Sequence, residues 1–310
     1  MGIARSAARV LGTGVAAGAL TGLAAGLYGF YETRQFRLRL HEVPILPAGM
    51  RPVRVLQLTD IHMTPRQLRK QEWIRDLARL APDLVIDTGD NLAHRDAVPV
   101  VLDTLGGLLD CPGVFVHGSN DYFSPGLRNP IGYLLPDNGK RHTDVPPLPW
   151  RDLSAGLSSA GWVDLTNRLG GLTVGETRFA FAGVDDPHLE YDDLAAVAGP
   201  ADPDADVRLG IAHAPYLRVL DQYARDGYDA IIAGHTHGGQ ICLPGGRALA
   251  TNCDLEPARA RGLHRHPAAA PPGTPGSAWL HVSGGLGTSP YAPVRIACKP
   301  EAALLTLVPR

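Results

Sequence analysis

Five short polar clusters carry the residue types of hydrolytic metal chemistry. They are Asp60-Ile61-His62, Gly89-Asp90-Asn91, Gly118-Ser119-Asn120-Asp121, a lone His213, and Gly234-His235-Thr236-His237. Asp60, Asp90 and Asn120 recur at intervals of 30 residues, about the length of one βαβ unit. Taken alone, each cluster is ordinary. Asp-x-His arises by chance, Gly-Asp-Asn is a common turn because Gly and Asn tolerate left-handed backbone angles, and a single histidine such as His213 fits a core. His235 and His237 are more telling, because alternate residues of an extended chain point the same way. Their joint order is what reads as a metal site.

The chemistry explains the residue types. A phosphate ester resists water because its oxygens repel an incoming nucleophile. Two cations about 3.5–4 Å apart bind those oxygens, align a water and lower its pKa. Such a site needs one carboxylate that touches both ions, and Asp90 is the candidate bridge. It also needs further oxygen ligands and several neutral imidazoles. Mixed N/O ligation without thiolates suits two divalent ions drawn from Mn, Fe, Zn or Co rather than Ca, and does not choose among them. No H-E-x-x-H pattern accompanies the histidines, which argues against a zinc peptidase.

The elements that must position these clusters alternate along the chain. Val53–Thr59 reads as a buried strand, Gln67–Leu80 as a helix with Trp73, Ile74, Leu77 and Leu80 near helical spacing, and Leu84–Asp87 as a second strand. A helix over Val98–Leu109 leads to a third strand at Val114–Val116. In this β-α-β-α-β run the polar clusters fall just past the strands' C-terminal ends, where open α/β sheets bind ligands. Residues 122–149 hold Pro125, Pro130, Pro136, Pro146, Pro147 and Pro149 and read as a long surface loop or lid. Trp162–Asp164, Leu172–Val174 and Arg178–Ala182 read as short strands of a second sheet. Val207–Ala212 and Asp229–Ala233 are further strands that end in histidines. Pro267–Gly276 reads as a surface excursion, and Trp279–Ser283 and Ala303–Val308 as the last strands.

The N-terminus has its own signature. From Val10 to Tyr31 no residue is charged, with Arg5 and Arg9 before the run and Arg34, Arg37 and Arg39 after it. The length matches the roughly 20 residues a helix needs to cross a bilayer and exceeds the roughly 7–15 of a signal peptide. Residues 1–40 are therefore expected to be a single uncleaved membrane anchor. Arginines at both ends leave its orientation open. A linker through Pro44, Pro47 and Pro52 then leads into a domain taken as 41–310.

The whole chain has 310 residues, 45% of them hydrophobic, with 29 basic and 31 acidic side chains. That suffices for a substantial core, and a net charge of -2 gives no sign of a polybasic nucleic-acid binder. Four scattered cysteines form no C-x-x-C pair, which removes zinc-finger and redox-motif readings. A Cys242–Cys253 disulfide is open to a domain outside the cytoplasm.

In this order the clusters resemble the calcineurin-like metallophosphoesterases, whose pattern runs D-x-H, G-D, G-N-H-D/E, H, G-H-x-H. The likeness spans residues 53–309, including Gly238-Gly239-Gln240, the Gly284-Gly285-Leu286-Gly287-Thr288 segment and Pro293-Val294-Arg295. These details are similar to a branch of small bacterial members with an N-terminal membrane or export segment. The resemblance implies an α/β fold of four layers, a two-sheet β-sandwich flanked by helices. It implies a first metal on Asp60, His62, Asp90 and His237, and a second sharing Asp90 and adding His213 and His235. It implies a phosphodiester or pyrophosphate substrate attacked in line by metal-bound hydroxide. A membrane tether would suit a lipid-linked substrate.

One departure matters. Where the family has Gly-Asn-His-Asp, this chain has Gly118-Ser119-Asn120-Asp121. Without a gap, Ser119 takes the place of the metal-binding Asn and Asn120 that of the acid histidine. Shifted by one, Asn120 recovers the ligand role and the histidine is missing. A serine hydroxyl is a poor ligand, which favours Asn120. General acid catalysis is worth about 10²–10⁴-fold, so its loss predicts a preference for good leaving groups unless a histidine such as His94 or His117 stands in. A non-catalytic metal-binding membrane module is the alternative that the departure allows. Asp121 either orients a neighbour or serves its own turn. Gly183-Val184-Asp185-Asp186-Pro187-His188 either lines the cleft or is an Asp-capped turn. Trp150 and Trp162 are expected in the core, and Arg295 is either a phosphate contact or an exposed arginine.

Overall fold

The structure, a computed structural model, describes residues 22–126, 139, 141, 143–271 and 273–310. Apolar runs without polar alternation belong to strands covered on both faces. The runs β2 (Val53–Leu58), β3 (Leu84–Asp87) and β4 (Gly113–Phe115) are such strands, paired in parallel. They form the middle of a mixed sheet completed by β1 (Arg37–Leu46), β5 (Val163–Asp164) and β14 (Glu301–Pro309), in the order β1-β14-β2-β3-β4-β5. The second sheet holds β6 (Arg168–Val174), β7 (Thr177–Gly183), β8 (Val207–Ile211), β9 (Ala230–Ala233), β12 (Gly262–His266) and β13 (Ala278–Val282), in the order β12-β13-β9-β8-β7-β6. A small hairpin, β10 (Cys242–Leu243) and β11 (Arg247–Ala248), stands apart.

Side chains alternate across a strand, and here each sheet buries both faces. Val55, Ile86 and Val114 face inward to Phe181, Leu209 and Ile232 of the other sheet. Their neighbours Leu56, Val85 and Phe115 face outward onto α2 (Leu68–Asp76), α3 (Val98–Leu105) and α5 (Trp150–Ser159). The outer face of the second sheet, Ala182, Ala212 and Ile231, packs on Val219, Leu220 and Tyr223 of α7 (Leu217–Asp226). The layers run helix, sheet, sheet, helix. The other helices are α1 (residues 22–32) and the one-turn α4 (Ser119–Tyr122) and α6 (Leu194–Val197).

Several sequence expectations need correction. The stretch read as a linker is β1, whose Val43, Ile45 and Leu46 are buried. A proline lacks an amide proton and is tolerated on an edge strand; β1 is that edge, and its register shifts between Pro44 and Leu46. Trp162–Asp164 yields β5, which pairs with β4 in the first sheet and not in the second. Helices α5 and α7 and strand β12 were not read from sequence. No disulfide joins any of the four cysteines, so the Cys242–Cys253 bridge left open by the sequence is not formed. Trp162 is a core residue and Trp150 is half-buried.

Of the loop at 122–149, residues 127–138, 140 and 142 lie outside the described residues, as does 1–21 of the expected anchor. The described end of that run, α1, docks on the domain. Gly29 O accepts from Arg295 N at 3.1 Å, and Glu32 Oε1 accepts from Cys298 N at 2.6 Å. Leu23, Leu27, Tyr28 and Tyr31 stay exposed. Among the described residues no helix is long and apolar enough to cross a membrane.

Candidate metal centre

Each cluster follows the end of a strand. Asp60 comes after β2, Asp90 after β3, Ser119 after β4, His213 after β8 and His235 after β9. The turns are stitched together by backbone bonds: Asp60 N to Gly89 O at 2.8 Å, His62 N to Asp90 O at 2.9 Å and Gly234 N to His213 O at 2.8 Å. Asp60, His62, Asp90, His235 and His237 all have positive φ. Non-glycine residues avoid that region, so the surrounding structure imposes it, a form of strain that gathers at functional sites. Packing leaves no slack. A Cβ on Gly118 would lie 2.4 Å from Asp90 Oδ1 and 2.6 Å from His213 Cε1.

Two groups of ligand atoms converge, Asp60/His62/His237 and Asp60/Asp90/His213, with the atoms of each within 4.8 Å of one another. His62 Nε2 is 3.2 Å from His237 Nε2, and His237 Nε2 is 3.6 Å from Asp60 Oδ1. Asp90 Oδ2 lies 3.5 Å from His62 Nε2 and Asp90 Oδ1 lies 3.5 Å from His213 Nε2. Asp60 Oδ1 and His213 Nε2 are buried with no hydrogen-bond partner. Buried polar atoms without partners are costly, and a cation between them removes that cost. The donor set fits divalent metal ions.

Surrounding groups fix how the ligands present themselves. His213 Nδ1 donates to Thr88 O at 2.7 Å and His235 Nε2 to Asn252 O at 3.1 Å. A carbonyl only accepts, so in the neutral form of each ring the lone pair lies on His213 Nε2 and His235 Nδ1. The His235 ring stands 5.2 Å from that of His213, outside the two converging groups. Burial pushes Asp60 up to about 6 and His62 down to about 4, and holds His237 well below the ordinary histidine range. Burial also opposes charge on His213, but Asp90, Asp186 and Asp60 override it and raise His213 to about 9. For Asp90 burial is outweighed by His213, His62 and Asn120, so its carboxyl is lowered.

The calcineurin-like phosphoesterase family model matches residues 53–239, more than half of the chain and every converging ligand. The chain belongs to that family. Its groups Asp60/His62/His237 and Asp60/Asp90/His213 are the metal sites typical of a binuclear member. It is 27% identical over 213 residues to a transmembrane protein with metallophosphoesterase domain from Bos taurus, covering 64% of its own chain and 44% of the other. It thus spans less than half the length of that relative. It is 27% identical over 231 residues to the uncharacterized protein YpbG of Bacillus subtilis (strain 168), covering 73% and 78%. Among solved structures it is similar to a 5'-nucleotidase precursor from Thermus thermophilus, at 14% identity and a TM-score of 0.43, covering 83% of this chain and 55% of that one.

In the phosphoesterase the departing turn takes a definite form. Asn120 faces the centre and donates to Asp90 from its backbone N at 2.7 Å and from Nδ2 at 2.8 Å. Ser119 is engaged elsewhere on the cleft wall, its hydroxyl donating to Asp186 Oδ2. Asp121, expected either to orient a catalytic neighbour or to serve its own turn, is fully buried. Its Oδ2 accepts from Asp90 N and Gly118 N, both at 2.9 Å, and its Oδ1 from Asn91 N at 2.8 Å. It ties the two ligand-bearing turns together.

Neither proposed stand-in imidazole reaches the cleft. His117 is buried with Nε2 on Ser154 Oγ at 2.7 Å, and His94 is exposed beside Asp96. Arg295 is neither a phosphate contact nor exposed. It is wholly buried, and its Nη2 donates to Gly284 O, Gly285 O and Gly287 O at 2.7–3.1 Å while lying 3.2 Å from His237 Nδ1. His188 lines the cleft with His62, Asp90, Ser119, Asn120 and His235. The cleft reading of its segment therefore stands over the bare turn.

Proposed function

We propose that the phosphoesterase hydrolyses phosphodiester or pyrophosphate bonds with two divalent ions side by side. Asp60, His62, Asp90 and His237 would hold the first, and Asp90, Asn120, His213 and His235 the second. One observation carries this reading: Asp90 presents one carboxylate oxygen to His62 and the other to His213, each at 3.5 Å. That placement supports a bridging role for Asp90. When bound, the ions supply Lewis acidity toward the phosphoryl oxygens and a more acidic water. The chain's own part is to keep His62 and His237 uncharged by burial and to lay Asn120 over Asp90.

A membrane tether belongs to the same proposal. The uncharged run Val10–Tyr31 and the exposed Leu23, Leu27, Tyr28 and Tyr31 support it, and a tether brings lipid-linked phosphate esters within reach. The test is turnover of bis(p-nitrophenyl) phosphate by metal-free and Mn²⁺-loaded protein, wild type against Asp90→Ala. Manganese-dependent turnover that vanishes in Asp90→Ala is expected. A wild type that binds two ions yet turns over no ester with any divalent metal would overturn the reading.

A further inference from the structure

The turn after β4 carries Ser119 and Asn120 where the resembled motif has an imidazole. The loop after β7 brings one in from another direction. His188 is 9% exposed and lines the same cleft as Asp90, Asn120 and His235. Its ring lies 4.6 Å from that of His235, which in turn is 5.2 Å from that of His213. His188 therefore flanks the histidines of the second ion and takes no part in the converging ligand groups.

What holds His188 there leads back to the departing turn. Ser119 Oγ donates to Asp186 Oδ2, and Asp186 Oδ1 accepts from His188 N at 2.9 Å. Tyr122, at the end of the same helix, donates its hydroxyl to Asp185 Oδ1 at 2.7 Å, and that oxygen also accepts from Asp186 N at 2.7 Å. Asp186 is fully buried, and Tyr216 OH lies 3.1 Å from His188 Nδ1. Ser119, the neighbour of the proposed ligand Asn120, thus anchors the aspartate that sets the histidine.

We propose that His188 is the catalytic imidazole of this phosphoesterase, the proton donor to the departing oxygen. The proposal rests on the binuclear reading above. As the oxygen of water bonds to phosphorus, the bond from phosphorus to the leaving oxygen breaks and its electron pair stays on that oxygen. His188 Nε2 gives its proton to the leaving oxygen, and the proton released by the attacking water returns through solvent to the imidazole. One water is consumed and no other reactant is needed. Ser119, Asp186 and Tyr216 are positioning residues. The preference for good leaving groups expected from the missing motif histidine is then lifted.

The test uses the full chain loaded with Mn²⁺ and a series of methyl aryl phosphodiesters running from p-nitrophenyl to unsubstituted phenyl. In His188→Ala the phenyl-to-p-nitrophenyl ratio of kcat/KM should fall on the order of 10²-fold, the lower range of a general acid's worth. Two manganese ions per chain should remain, and imidazole in the buffer should restore the phenyl ester preferentially. His188→Gln, close in volume, carries the same test if the alanine variant unfolds. Tyr216→Phe should shift the ratio in the same direction by a smaller factor. An equal loss along the whole series, or one ion per chain in place of two, would sink the proposal while leaving the binuclear reading intact. A wild type inactive on every ester would end both.

Discussion

Asn120 donates to both carboxylate oxygens of Asp90, at 2.7 Å from its backbone and 2.8 Å from its side chain. The side-chain amide therefore lies against the carboxylate proposed to bridge the ions, while the Ser119 hydroxyl is engaged on Asp186. Removing a hydrogen-bonding partner of a buried charge costs roughly 1.5–3 kcal/mol, or about 10–100-fold in an equilibrium constant. Asn120→Ala should weaken the second manganese ion by that factor and leave the first nearly unchanged. Ser119→Ala should keep both affinities within a few-fold. Calorimetric titration of metal-free protein with Mn²⁺ separates the two, and a weaker second ion in Ser119→Ala alone would reverse the assignment.

Arg295 makes a second prediction. Its guanidinium donates to the carbonyls of Gly284, Gly285, Gly287, His237 and Cys298. Lysine keeps the charge but offers a single nitrogen and no planar fork. Arg295→Lys should therefore strand several carbonyls at about 1–3 kcal/mol each, for a loss of at least about 3 kcal/mol in a denaturant melt. Because Arg295 also backs His237, the ion on Asp60, His62 and His237 should weaken in the same variant. A variant with wild-type stability and metal affinity would show that the arginine only fills space.

A third concerns acid. Burial, followed by the nearby charges of His41 and His264, lowers His281 to about 3. Its Nδ1 lies 2.6 Å from Gln57 Oε1, a polar tie between the two sheets. An unfolded histidine titrates near about 6.5, so between these values the unfolded chain binds the extra proton. Stability from this group is fully present above about 6.5 and is lost as pH falls toward 3. At about pH 5 the loss is about 2 kcal/mol relative to about pH 7.5. Unfolding of metal-free protein at the two pH values should show a wild-type drop larger by that amount than the drop in His281→Gln. Equal drops would mean that His281 is already charged in the folded state.

How much of this could be read from sequence follows from how far apart partners lie. The ligands were legible because their types are demanding and each follows an apolar strand; β3 came out at Leu84–Asp87 as read. Asp186 and His188 were less legible, because their meaning depends on Ser119, which lies 67 residues from Asp186. Nothing local distinguishes an Asp-Asp-Pro-His turn that clamps a helix from one that caps itself. Arg295 was misread for a related reason: its cage of glycine carbonyls forms only when the segment from Gly284 to Gly287 folds back on it. The left-handed backbone at Asp60, His62, Asp90, His235 and His237 has no composition signal, since tertiary contacts impose it. Strand β1 was hidden by Pro44 and by charges on its exposed face, both allowed at an edge.

That edge decides where the chain can be cut. A chain starting at Val53 preserves every ligand but loses Val43, Ile45 and Leu46, which are 0–2% exposed. Each buried aliphatic side chain is worth about 1.5–3 kcal/mol, and β14 would be left as an open edge, an invitation to aggregate. Starting at Gln35 keeps all of β1 and gives up the contacts of Gly29 and Glu32. The longer form should run as a folded species in gel filtration and hydrolyse bis(p-nitrophenyl) phosphate with Mn²⁺ at near wild-type kcat, whereas the shorter should precipitate or melt at markedly lower temperature. On liposomes the full chain should co-float, and the chain from Gln35 should stay with the soluble fraction. Co-flotation of both would move membrane attachment from the N-terminal run to the folded domain itself.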